Sequence, residues 1–126
     1  ITGGGWVSGQ SFHPPYGQFT VNVSGSAHKG VSGVSDFTTN DELYMGLDMV
    51  DGNDVFITGT AAESTHPWGP DRTPKHMPRG TFPLGWTRSY GNGKVFVLLL
   101  GHDGQSFQTP EFQKIVLNGV DWATTG

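Results

Sequence analysis

The sequence contains no cysteine among its 126 residues. Disulfides, thiolate catalysis and Cys-ligated metal are therefore excluded within this chain. Cysteine absence leaves the compartment open and is compatible with an extracytoplasmic or secreted location. Cations are also few: 7 Lys and Arg stand against 11 Asp and Glu, a net charge of −4. They are scattered, so the counterion release that drives nucleic-acid binding has no patch to act through. No apolar run approaches the ~18 residues of a membrane span. A basic amphipathic helix is missing as well. Neither nucleic acid nor membrane is expected as a partner.

What is abundant is glycine, with 20 residues, alongside 8 prolines. Turns and loops should occupy much of the chain. Apolar residues make up 34% and aromatics 12%, enough for the modest core of one domain over 1–126. The chain opens at Ile1 without a signal-peptide pattern. It is expected to be a processed product, a cut fragment or the ordered part of something longer.

Patterning places the elements. Residues 1–17 carry Gly3-Gly4-Gly5 and Pro14-Pro15 and read as loop. Residues 18–24 alternate Phe19, Val21 and Val23 with polar partners, which predicts a half-buried strand. Residues 25–40 read as a connection. Residues 42–50 and 53–60 read as two strands joined by an Asp51-Gly52 hairpin turn. The proline-dense stretch 61–83 reads as one long surface loop. Residues 84–90 and 94–100 form a hairpin across Gly91-Asn92-Gly93, with Asn-Gly supplying positive φ. The segment from Val95 to Leu100 is apolar on both faces and predicts a strand covered on both sides. A helix is predicted over 109–123, with Thr109 as N-cap and Pro110 at N1. Phe112, Ile115, Val116, Gly119, Val120 and Ala123 would form its apolar face. One helix cannot cover both sides of such a sheet. Burial logic therefore implies a missing N-terminal half or self-association.

Residues 83–123 carry an ordered set of marks: Pro83, Trp86, Thr87, Tyr90, Gly91, Gly93, Val95, Phe96, Leu100, Gly101, His102, Pro110, Phe112, Gly119, Trp122 and Ala123. This set resembles the closing segment of ThuA-like (trehalose utilisation) domains. Gly4-Gly5-Trp6 with His13-Pro14, and Asp36-Phe37 followed by Asp41-Glu42-Leu43-Tyr44, resemble segments of the same family upstream. The resemblance implies an α/β fold, a doubly wound sheet of flavodoxin-like or class I glutamine-amidotransferase-like type. This chain would be a partial domain of it, rich in strands and loops with a C-terminal helix.

Candidate residues follow from position and chemistry. His102 leaves the apolar strand at its carboxyl end, where α/β sheets bind ligands, and is a candidate for proton transfer or metal binding with Asp103 orienting it. The bland reading is a histidine that bonds a backbone carbonyl. His13 and Tyr16 sit in an aromatic loop suited to stacking on a sugar, or merely packed on Pro14 and Pro15. In Asp41-Glu42 a carboxylate, Glu42 above all, is a candidate for binding sugar hydroxyls or acting as a base, although a structural carboxylate that bonds loop amides or pairs with Arg or Lys weighs more. Trp86 is a substrate clamp or, with more weight, a core residue with Arg88 in an ion pair. His66 and His76 bracket the proline-rich stretch without metal spacing. Trp68 between them is a stacking candidate or a loop residue, and His28 is read as a turn residue.

No nucleophile elbow, phosphate loop or dinucleotide fingerprint occurs, and no cofactor or metal is assigned. The resemblance implies a sugar substrate: trehalose-like or 3-keto disaccharides, processed by isomerisation or hydrolysis. The alternative is a non-catalytic carbohydrate-binding or self-assembling module of the same fold.

Overall fold

A computed structural model describes residues 1–23 and 25–125. Ser24, the last residue of the predicted first strand, and Gly126 lie outside them. Five strands build the central sheet: β2 (Gly17–Asn22), β3 (Phe37–Asp41), β5 (Asp54–Ala61), β8 (Gly80–Tyr90) and β9 (Gly93–Leu98). Their spatial order is β3-β2-β5-β8-β9. Each neighbouring pair is antiparallel. The described strands therefore form a mixed α/β fold without the parallel pairing of a doubly wound sheet. Alternation from strand to strand sends the exits of β3, β5 and β9 and the entry of β2 to one end.

β3 falls inside the stretch 25–40 expected to be connection. Phe37, Thr39 and Asp41 are its buried residues. Two of these three inward positions are polar, so an apolar alternation could not reveal the strand. Residues 42–50 do not form one strand. Met45 makes a single bridge to Phe12, and β4 (Asp48–Met49) pairs with β1 (Gly4–Gly5). Gly52 does turn with φ 85°, but β5 already has β2 and β8 as partners.

The proline-rich stretch is a hairpin rather than a loop. β6 (Ser64–Trp68) pairs with β7 (Thr73–Met77), and Pro67 faces Pro74 across it. A two-stranded ribbon consists of edges, the one place where proline costs a strand nothing. Met77 is fully buried, and Lys75 Nζ lies 4.4 Å over the Phe12 ring. Met77 ties the ribbon to the core, and Lys75 docks it on the loop before β2.

The β8–β9 hairpin is present as predicted, with Tyr90 opposite Gly93. Its central residues are Gly91 and Asn92, and the positive φ of 58° belongs to Gly91 rather than to an Asn-Gly pair. β9 is an edge strand, not a central one, and residues 95–98 are half-buried. Its Phe96 ring packs on Phe56 at 5.3 Å and Trp122 at 6.3 Å between centroids. A Cβ on Gly30 or Gly119 would come within 2.8 or 2.7 Å of that ring, so only glycine fits at either position.

Helix α1 (Gly104–Gln108) precedes α2 (Pro110–Thr124). The predicted long helix thus holds, with Pro110 in its first turn, although Thr109 makes no side-chain cap bond. Phe112, Ile115 and Gly119 are buried. Val116 and Val120, expected on the apolar face, are instead 38% and 58% exposed.

His28 has a structural role that its turn-like context does not suggest. Its Nδ1 accepts from the Gly30 amide at 2.9 Å, capping a 3-10 turn at Lys29–Val31. With Nδ1 accepting, a neutral ring carries its proton on Nε2, which lies 3.0 Å from Thr87 Oγ1. The ring stacks on Phe56 at 4.0 Å. Burial holds its pKa below the ordinary value of 6.5, against a smaller opposing pull from Asp54. The unfolded chain therefore takes up a proton that the native state resists, and stability falls as pH drops below about 6.5. In His28→Asn, which retains a capping oxygen, the drop in Tm between pH 7.5 and 5.5 should shrink. An undiminished drop in thermal scans would contradict this account.

Candidate functional site

The end of the sheet where β3, β5 and β9 leave and β2 enters gathers the reactive side chains. Asp41 closes β3 and is 2% exposed. Its Oδ1 accepts from the Glu42 amide and its Oδ2 from the Gly101 amide, each at 2.8 Å. Ser106 Oγ adds a bond to Asn40 O at 3.2 Å. These bonds hold the residue after β3 beside the residues after β9. Glu42 and His102 consequently face each other, with Oε2 3.5 Å from His102 Nδ1.

The other carboxylate oxygen of Glu42 lies 3.9 Å from His13 Nε2. His13 Nδ1 is 2.6 Å from the Pro14 carbonyl, which can only accept. That contact places a proton on Nδ1, so in the neutral ring the Nε2 lone pair faces Glu42. Tyr44 OH donates to Glu42 Oε2 at 3.3 Å. Its pKa is raised, first by burial and then by the Glu42 charge, which keeps it a donor. A carboxylate flanked by two imidazoles and a phenol can accept, hold and return protons.

Aromatic rings wall this group. Trp6 meets Tyr44 edge-on at 5.6 Å and His13 at 5.9 Å. Trp68, delivered by the end of β6, lies 5.1 Å from His13. Trp6, His13, Glu42 and Tyr44 line a hollow of about 320 Å³. Trp6 is 47% exposed, so part of this wall borders solvent. Tyr16 tilts over His102 at 4.9 Å and donates to Gln105 Oε1 at 3.2 Å.

His13, Tyr16, Glu42 and His102 thus lie together at one end of the sheet. Trp86 does not join them. It is fully buried and its indole N–H donates to Thr2 O at 2.7 Å, so it has no surface to offer a substrate. Arg88 bonds Asn53 rather than an acid. Asp103 does not orient His102: its carboxylate caps α1, accepting the Gln105 and Ser106 amides at 3.0 Å. The Ser106 amide foremost, then the Tyr16 hydroxyl and the Gln105 amide, hold its pKa below the usual carboxylate range. Glu42 takes the place beside the imidazole instead, and its partners are histidines rather than Arg or Lys. Tyr44 was not anticipated as a site residue. His76 pairs with Glu63 on the exposed hairpin at 3.1 Å, outside the cluster. Among the described residues, no three His, Cys, Asp or Glu side chains converge to hold a metal ion.

The sequence model of ThuA, described as trehalose utilisation, matches residues 1–123. A crystal structure of a ThuA-like protein from Parabacteroides merdae superposes with a TM-score of 0.71 at 25% identity. The match covers 93% of this chain and 42% of that one. Curated proteins give no match.

Asp41→Asn keeps the shape but turns one buried acceptor into a donor facing an amide. Loss of about 1–3 kcal/mol in stability is expected from urea unfolding. Amide exchange at Gly101 and Glu42 should accelerate together, and unchanged protection at both would refute the staple.

Proposed function

Because this chain belongs to the ThuA family of trehalose utilisation, we propose that the Glu42 cluster binds and transforms a trehalose-like disaccharide or its 3-keto derivative. The observation that carries this reading is one carboxylate between two imidazoles against an aromatic wall. A sugar ring would lay its C–H face on Trp6 and direct hydroxyls toward Glu42 and His13. On a 3-keto sugar, Glu42 would take the proton from the carbon beside the carbonyl. A protonated His102 would give a proton to the carbonyl oxygen, forming an enediol. Glu42 would then give its proton to the former carbonyl carbon while His102 takes one back from the neighbouring hydroxyl, which moves the carbonyl by one carbon and completes an isomerisation. Hydrolysis of the glycosidic bond is the competing outcome for the same groups. In the complete protein, a flavodoxin-like architecture would surround the antiparallel part described above.

In Glu42→Gln, release of the α-proton of a 3-keto disaccharide into deuterated water should slow by about 10²–10⁴. His13→Ala should raise the sugar concentration that half-saturates this exchange, followed by NMR. Wild-type exchange in Glu42→Gln would end the reading.

A second reading, a self-assembling module without catalysis, draws on a specific surface. Val116, Leu117 and Val120 are exposed on α2. Phe96, Leu98, Val116 and Val120 line a groove of about 420 Å³ beside the edge strand β9. Unpaired edges and apolar faces favour association. Under this reading, sedimentation shows mass rising with concentration, and Val120→Lys abolishes the rise. A constant monomer mass in the parent protein removes this reading.

A further inference from the structure

β2 and β5 stay paired for only three positions: Thr20 with Thr60, Val21 with Gly59 and Asn22 with Thr58. Beyond them β2 continues beside β3 to Gly17 opposite Asp41. β5 continues beside β8 to Ala61 opposite Gly80. The two strands part, and a cleft of about 370 Å³ opens where they separate. Leu43 and Pro15 give it apolar surface, while Gln18, Thr20, Thr38 and Thr60 give it polar groups.

The polar groups are arranged in register. Thr38 pairs with Thr20, and Thr20 with Thr60, so three hydroxyls cross three adjacent strands on one rung. All three residues are exposed. Adjacent strands set them roughly 4.8 Å apart, a spacing comparable to that between hydroxyls across a pyranose ring. Among the described residues the Thr20 and Thr38 hydroxyls make no hydrogen bond. Thr60 Oγ1 accepts from Asn22 Nδ2 at 2.7 Å, which leaves its proton free to donate. No Lys, Arg or His lines the cleft, and its one acid, Asp41, is committed to two backbone amides. An anionic ligand would find no countercharge there.

We infer that this cleft is a second binding site, for a neutral polyhydroxylated ring such as an uncharged sugar. It shares walls with the Glu42 cluster. His13 faces that cluster while the following Pro14 and Pro15 face the cleft, and Glu42 is preceded by Asp41 and followed by Leu43. The inference does not require catalysis at Glu42, because the threonine rung and the absence of cations stand alone.

The test is a titration of the ¹⁵N-labelled protein with glucose, trehalose and glucose 6-phosphate, followed by amide shifts. Neutral sugars should move the amides of Gln18, Thr20, Thr38 and Thr60 saturably, in wild type and in Glu42→Gln alike. Thr20→Val and Thr38→Val suit a strand, and amide dispersion reports whether each stays folded. Each should weaken binding by about tenfold without altering shifts at Trp6 or Tyr44. Glucose 6-phosphate should bind no better than glucose. Absence of saturable shifts on the rung would overturn the inference, as would tighter binding of the phosphate. Loss of proton exchange in Glu42→Gln with intact rung shifts separates the two sites. Shifts confined to Trp6 and Tyr44 leave the Glu42 reading standing and refute the cleft.

Discussion

A buried carboxylate governs the geometry at the reactive end of this molecule. In a flat five-stranded sheet the two edges stand roughly 19 Å apart. β3 is one edge and β9 the other, yet Asp41 at the end of β3 bonds Gly101, three residues beyond Leu98. Three residues reach only about 10 Å when extended. The sheet must therefore curl so that its edges approach at this end. Asp41 satisfies two amides that would otherwise lie orphaned beside the core, which is where a charged acceptor is worth most. Ser106 Oγ reinforces the seam through Asn40 O.

The curl decides what the site contains. Glu42 and His102 belong to opposite edges of the sheet and meet only because the edges do. His13 and Tyr16 arrive from the loop before β2, which already lies at that end. Trp68 arrives on a hairpin held to the same loop by Lys75 over Phe12. Every contributor is thus an exit or an entry of a strand, where backbone direction is free to change and side chains need not satisfy the core.

Some of this is written in the sequence in readable form. The strand at Phe19 and Val21, the β8–β9 hairpin and the α2 helix each follow from local periodicity or turn chemistry, and all three are present. The placement of His102 at a strand exit needs no more than the apolar run before it. What fails is whatever depends on distant partners. β3 is hidden because Thr39 and Asp41 spend inward positions on polar groups. The prolines of β6 and β7 argue against a strand only if the strand is central, and edge status is a tertiary fact. The apolar run in β9 signals burial on both faces, whereas the strand lies at an edge. Tyr44 and Glu42, two positions apart after a strand, hint at a shared side. Nothing local says that His13 waits there for them.

The exposure of the cluster sets a physical condition on its chemistry. The His102 side chain is 39% exposed and Trp6 47%, so water reaches the cluster and screens its charges. Electrostatic interactions among Glu42, the imidazoles and a bound molecule gain strength only when water leaves, because the same charges then act through a lower dielectric. The hollow at Glu42 is open to solvent. A rigid ring lying on the Trp6 face would itself displace that water, since the indole, His13 and Tyr44 already form the remaining walls. The ligand would then be the lid. The proposed sugar would meet this condition by covering the carboxylate with a broad face while still offering hydroxyls to Glu42 and His13.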